Sequence, residues 1–511
     1  MTAATFPRRL AETHLATIRL VAHWRWVALV AFGSWLLLVG SHHEPWLDEA
    51  QAWLLARDND LWTLLAERVR YEGTPGLWHL ILWLAIRGGL PFSHIFLISA
   101  GFSLSGAAVI LWRAPFPTAL RLAILASYFF GYQFSVVARS YSVDLLLVPL
   151  AAAFFSTRTG RPLRYALVIG LIANTNAHGF LAAGVLGLEF AWQLWRQKQW
   201  LQRGSFSALL LAGGLGLFAL WSAWQPADNG YLHSDMRSGP IASFVLYLCN
   251  AFIDRVSLWS STPPSVGDIS LGFLLSLFLQ IPVVALIMSG TNRLMALTLF
   301  GLLLAFSVIV YSSPWHAGLL FLFWLFVIWV EWDNPVSPSL RRRVMAAVAI
   351  ICLLQAGQTV RAGLWDRSNV YSPGEAVAQM LETYREQYPQ AHIAAFGFKA
   401  FEVQPWLQNN LFDNYHHAAP KPAYISWLRE ERWSPRVNAS LWQQLLATRP
   451  DLILASSIDL GGRPYDLIPQ ACRAGYRIYQ RFPASMTWRG IVMEDQTLIM
   501  FERGTSADCH A

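Results

Sequence analysis

Apolar runs nearly as long as a bilayer core is thick recur along this chain, and each carries few or no charges; Trp24 to Gly40, Ile269 to Met288 and Gly318 to Val330 are examples. In hydrocarbon, every backbone N–H and C=O must be bonded within its own segment or within a closed barrel, and these runs lack the alternation of a barrel strand. They must be helices. The expected fold class is therefore an all-α polytopic membrane protein. Composition agrees, because 55% of the 511 residues are apolar and 14% are charged, too oily a balance for a soluble chain of this length.

The net charge of +7 does not point to nucleic acid. Basic residues fall in small groups between apolar runs, at Arg8 and Arg9, Arg158 to Arg164, Arg196 to Arg203 and Arg341 to Arg343, and read as cytoplasmic anchors. No small-residue cleavage site follows Gly40, so the first helix is expected to be retained, with the N-terminus inside. Trp24 to Gly40 then delivers Ser41 to the outside, and Arg113 and Arg121 require the span from His94 to Trp112 to run inward. The stretch from Pro75 to Leu90 between them is expected to lie in or dip into the outer interface. Continued parity gives about eleven spans, with Gln225 to Gly267 external and a last span, Val344 to Val360, exiting.

After Val360 the composition becomes that of a soluble domain. The expected division is a transmembrane domain over 1–360, with its first outer loop at about 41–93, and a small extracytoplasmic α/β domain over 361–511. Within it a helix is expected at Pro373 to Arg385, strands at Ala391 to Phe398 and Asp451 to Ser456, and a β-hairpin at Thr487 to Glu502. Cys472 and Cys509 could pair in an oxidising compartment.

The first outer loop carries the chemistry. It reads His42-His43-Glu44-Pro45-Trp46-Leu47-Asp48-Glu49-Ala50, and continues to Tyr71-Glu72-Gly73-Thr74-Pro75-Gly76-Leu77-Trp78-His79. Adjacent carboxylates open an amphipathic helix just where the chain leaves the membrane, which suits one of them to take a proton from a hydroxyl. Helix capping by Asp48 is the plain alternative. Polar residues at outer helix ends are expensive and tend to be functional: Arg139, Tyr141 and Asp144 share one such end, Asn174, Asn176 and His178 another, and His316 a third. Arg139 can fork onto two phosphate oxygens or snorkel to headgroups, while Asp144 can pair with it. His178 and His316 can equally be structural. Asp58-Asn59-Asp60 has the spacing of a divalent-ion chelate, although Asp60 is also a good N-cap for the helix from Leu61; no other cofactor is called for. Trp46, Trp53 and Trp78 could stack on a sugar or belong to an interfacial belt.

Trp-Leu-Asp-Glu-Ala after the first span, followed by Glu-Gly-Thr-Pro-Gly-Leu-Trp, resembles the first outer loop of GT-C glycosyltransferases, within them the branch of protein O-mannosyltransferases and aminoarabinose transferases. Ala138-Arg139-Ser140-Tyr141-Ser142 resembles the family's element at the lipid phosphate. The resemblance implies a GT-C-like fold with outer-face juxtamembrane helices, Asp48 as catalytic base with Glu49 beside it, and substrate contacts from Arg139, Tyr141, Glu72, His79, Asn176, His178 and His316. Relatives often carry His-Pro-Pro where this chain has Thr74-Pro75-Gly76, so that imidazole is missing and His79 is the nearest substitute. The function implied is inverting transfer of a sugar from a polyprenyl-phosphate donor to an acceptor hydroxyl on a protein, lipid or glycan. It would take place on the outer face of an inner or plasma membrane, with membrane lipids as the surroundings. A flippase for a lipid-linked glycan and a noncatalytic binding subunit are the rival readings.

Overall fold

The computed structural model describes residues 6–230, 239–256, 262–310, 313–415, 422–428, 439–461 and 467–504, with side chains from residue 23 onward. The helices are α1 (Phe6–Gly40), α2 (Leu47–Asp58), α3 (Leu77–Arg87), α4 (Phe96–Arg113), α5 (Thr118–Ala126), α6 (Tyr141–Phe155), α7 (Pro162–Ala173), α8 (Ala177–Arg196), α9 (Arg203–Ala223), α10 (Pro240–Ala251), α11 (Val266–Ser289), α12 (Arg293–Ile309), α13 (Ala317–Val330) and α14 (Pro338–Ser368). Beyond them come α15 (Gly374–Gln387), α16 (Ala439–Ala447) and α17 (Ile468–Arg473).

Among the described residues five helical segments are long and apolar enough to cross a membrane: His23–Gly40, Phe92–Arg113, Arg203–Ala223, Val266–Ser289 and Pro338–Ser368. Six more apolar helices are shorter. One of them is α3, whose 11 residues reach only about 16 Å at 1.5 Å per residue. That is half a bilayer core. α14, at 31 residues, exceeds the core by several turns, so it cannot lie wholly within hydrocarbon.

Apolarity sorts the helices by depth. α13 is apolar on every face and buried from Ala317 to Ile328, which makes it the centre of the bundle. α9 and α11 turn Leu210, Leu217, Leu274 and Ile281 outward, as helices in contact with lipid do. α4 and α6 approach closely at Gly106, where any side chain would strike the Leu145 carbonyl.

At one end of the bundle sits a four-stranded sheet of order β1-β2-β6-β3, formed by β1 (Ile393–Phe396), β2 (Leu452–Ser456), β3 (Tyr476–Phe482) and β6 (Leu498–Arg503). β1 and β2 are parallel, and β6 runs antiparallel to both β2 and β3. The segment expected to be one hairpin over Thr487 to Glu502 is divided differently. β4 (Ser485–Trp488) and β5 (Ile491–Asp495) pair with each other around Arg489-Gly490, and the remainder is β6 of the main sheet. Arg489 and Gly490 both have positive φ, 55° and 71°, as a two-residue hairpin turn requires. Cys472 is disulfide-bonded, while Cys509 lies outside the described residues.

Candidate functional site

The loop after α1 turns back over the bundle because Glu49, in the first turn of α2, is fully buried and gathers the chain around itself. Its Oε2 accepts from the Trp46 backbone N–H at 3.1 Å, closing the first turn of the helix, and its Oε1 accepts from the Ala138 N–H at 2.6 Å. The second bond joins this loop to the segment entering α6. Capping therefore falls to Glu49, and Asp48, one residue earlier, points elsewhere.

Asp48 pairs with the Arg139 guanidinium through Oδ2. The two residues lie 91 positions apart, and their side chains keep 33% and 25% exposure, so water reaches the pair. Arg139 lies 5.7 Å from the Tyr141 ring, Tyr141 meets His316 edge to face at 5.5 Å, and His316 stacks on His178 at 5.2 Å. Five side chains from four parts of the chain thus form one polar file running from Asp48 into the bundle. His178 Nε2 is held by Ser307 at 3.0 Å, and the Ser313 N–H donates to His316 Nδ1 at 2.8 Å.

Other expected residues have structural partners. Asp144 accepts from Thr175 Oγ1 at 3.1 Å and from Asn176 Nδ2 at 2.7 Å, and so does not pair with Arg139. Asn176 also caps α8 through the Gly179 N–H. Glu72 accepts from Gln51 Nε2 at 2.8 Å and from the Trp427 indole at 2.9 Å, and burial raises its pKa. Asp58 pairs with Arg57, and Asp60 caps the helical turn Leu61–Thr63 through the Trp62 and Thr63 N–H groups, so neither presents a chelate. Among the described residues no group of three His, Cys, Asp or Glu is placed to hold a metal ion. His79 is 4% exposed, with both ring nitrogens unpartnered among the described residues; burial and, secondarily, the Arg139 charge push its pKa down to about 4. Trp53 packs against Phe92 in the core, while Trp46 faces the cleft beside Arg139.

Sequence reasoning missed the support beneath Glu49. The His43 imidazole bridges Glu49 Oε2 at 3.2 Å and Asp366 Oδ2 at 2.9 Å, and the Tyr132 hydroxyl donates to the same Asp366 oxygen. Burial alone would lower the pKa of His43, but the charges of Glu49 and Asp366 outweigh it and raise it to about 10. An acidic residue at the end of a long apolar helix was the available signal for Asp366.

A bundle of apolar helices, with an acid–guanidinium pair at the end closed by a small mixed sheet, is a fold shared with a solved structure. Among solved structures, ArnT from Cupriavidus metallidurans in the apo state matches with a TM-score of 0.57, covering 97% of this chain and 99% of that one at 14% identity. No protein-family model matches the sequence, and no curated protein is similar to it.

Proposed function

We propose that the chain is a multi-pass glycosyltransferase that moves a sugar from a polyprenyl-phosphate carrier to an acceptor hydroxyl on the outer face of an inner or plasma membrane. Residues 1–360 would form the membrane domain, and 361–511 an extracytoplasmic one. The observation that carries this reading is the solvated Asp48–Arg139 pair at the head of the polar file. An acid and a guanidinium so placed suit a reaction that takes a proton at one end and leaves a phosphate at the other. The likeness in fold to ArnT and the resemblance of the first loop to lipid-linked-sugar transferases support the donor class.

In the proposed reaction the carrier phosphate competes for Arg139 and parts the pair, leaving Asp48 free. The acceptor O–H gives its proton to Asp48 as its oxygen bonds to the anomeric carbon. The bond from that carbon to the phosphate oxygen breaks, and its electron pair leaves with the polyprenyl phosphate, whose charge Arg139 meets. Attack in line with the departing phosphate inverts the anomeric centre. Glu49, with both oxygens engaged, is a positioning residue. His316 and His178 extend the polar file below Tyr141.

The test is release of free carrier from synthetic polyprenyl-phosphate sugars by purified protein. Asp48→Asn is expected to lower it by about 10²- to 10⁴-fold, the usual contribution of a general base. Full retention of release in that variant would remove Asp48 as the base, and no release by the unaltered protein from any donor would favour a flippase or a binding subunit.

A further inference from the structure

Beside the Asp48–Arg139 pair lies a cleft lined by Trp46, Arg139, Tyr141, Trp315, Thr487 and Trp488, among others. These six residues come from four separate segments: the loop before α2, the start of α6, the turn before α13, and the β4–β5 hairpin of the C-terminal sheet region. The hairpin is held firmly. At its tip the Arg489 guanidinium, 0% exposed, pairs with Asp254 at 2.6 Å, while the Arg489 N–H donates to the Tyr128 hydroxyl at 3.0 Å. Arg361 Nε donates to the Arg489 carbonyl at 2.6 Å, and a side chain at Gly490 would press on the backbone of Arg361 and Ala362. Trp488 packs edge to face on Tyr128 at 5.2 Å.

Three polar atoms of the residues around this cleft are buried without a hydrogen-bond partner among the described residues: Trp46 Nε1, Thr487 Oγ1 and Trp488 Nε1. Trp46 and Thr487 are 6% and 4% exposed. Buried donors are almost always satisfied, so three of them around one cleft next to the Arg139 guanidinium call for a partner there. Two are indole N–H groups, which donate only, and so require acceptors on the ligand. The indole faces, which could otherwise attract an ammonium group, already carry cations: Lys399 Nζ lies 5.6 Å from the Trp46 ring and the Arg489 guanidinium 5.2 Å from the Trp488 ring.

We propose that Trp46, Thr487 and Trp488 form the sugar subsite, with the C-terminal hairpin donating to the hydroxyl oxygens of a neutral monosaccharide whose phosphate is held by Arg139. The inference rests on the donor class proposed above and adds the sugar chemistry to it: oxygen acceptors at the ring positions that meet the hairpin, and no cationic amino group there.

The experiment measures binding of bare undecaprenyl phosphate and of undecaprenyl-phosphate-linked glucose, mannose, galactose and aminoarabinose to the full chain in lipid nanodiscs. At least one neutral hexose carrier should bind more tightly than the bare carrier and the aminoarabinose carrier. Thr487→Val removes a donor with little change of shape, and Trp488→Phe removes one together with part of the ring that packs on Tyr128. Each should weaken the hexose carrier about three- to ten-fold while leaving the bare carrier unchanged, which also shows that the variant is folded. Equal changes for bare and hexose carriers, no change for either, or a preference for aminoarabinose would overturn the sugar subsite and leave the transferase reading standing. Binding of no carrier by the unaltered chain would remove both.

Discussion

Asp48 and Arg139 neutralise each other in the unliganded chain, and a guanidinium can exchange that partner for a phosphate without losing its second N–H face. A lysine has one point charge and no fork. Arg139→Lys is therefore expected to lower carrier release by about 10²-fold, the loss typical of removing one charge-stabilising donor, with the Asp48 contact partly kept. A ten-fold or smaller loss in single-turnover measurements would mean that Arg139 only anchors the loop. Both residues stood out in the sequence because each sits in a short polar motif where an apolar run ends. Glu49 was legible only as half of an acidic pair. What separates it from Asp48 is the Ala138 N–H and the His43–Asp366 bridge, and the latter contact spans 323 positions that no local pattern connects.

Among the elements, the loop from His43 to α2 depends on a buried ion triad. His43 has its pKa raised to about 10 in the folded chain against about 6.5 when unfolded, so its stabilisation is complete below pH 6.5 and is lost as pH rises through 10. His43→Gln leaves two buried carboxylates without their shared cation. It should destabilise the protein by about 3 to 5 kcal/mol below pH 6.5, with the difference shrinking as pH rises. Thermal unfolding of both proteins across that range is the check, and a gap that widens toward alkaline pH would refute the assignment. The long apolar runs made most helices legible, and the short apolar runs near the C-terminus announced strands. Such runs could not tell which strand pairs with which. Thr487 to Glu502 read as one hairpin, yet Ile499 and Phe501 side with Ala455 and Ile453 in the main sheet, a pairing set by tertiary burial rather than by the turn.

The molecule as a whole is joined by polar clasps between the C-terminal region and the rest of the chain. Gln51 exchanges hydrogen bonds with the Ile425 backbone, Glu44 accepts from the Tyr371 N–H, and Asp254 pairs with Arg489. Asp254→Ala would strand a buried guanidinium and should cost about 3 to 5 kcal/mol. With clasps this extensive, bundle and sheet are expected to unfold in one transition followed by tryptophan fluorescence, and two separate transitions would show them to be independent. None of these clasps was visible in the sequence, because each pairs a residue of the bundle or its connecting loops with a partner far along the chain. The cleft wall made by Trp488 has a consequence for biosynthesis. Trp46 emerges from the ribosome long before Trp488, after which almost every helix must still be inserted. The apolar helices can therefore all be made before the last wall of the cleft exists, and the cleft is completed only when the β4–β5 hairpin folds back against the bundle.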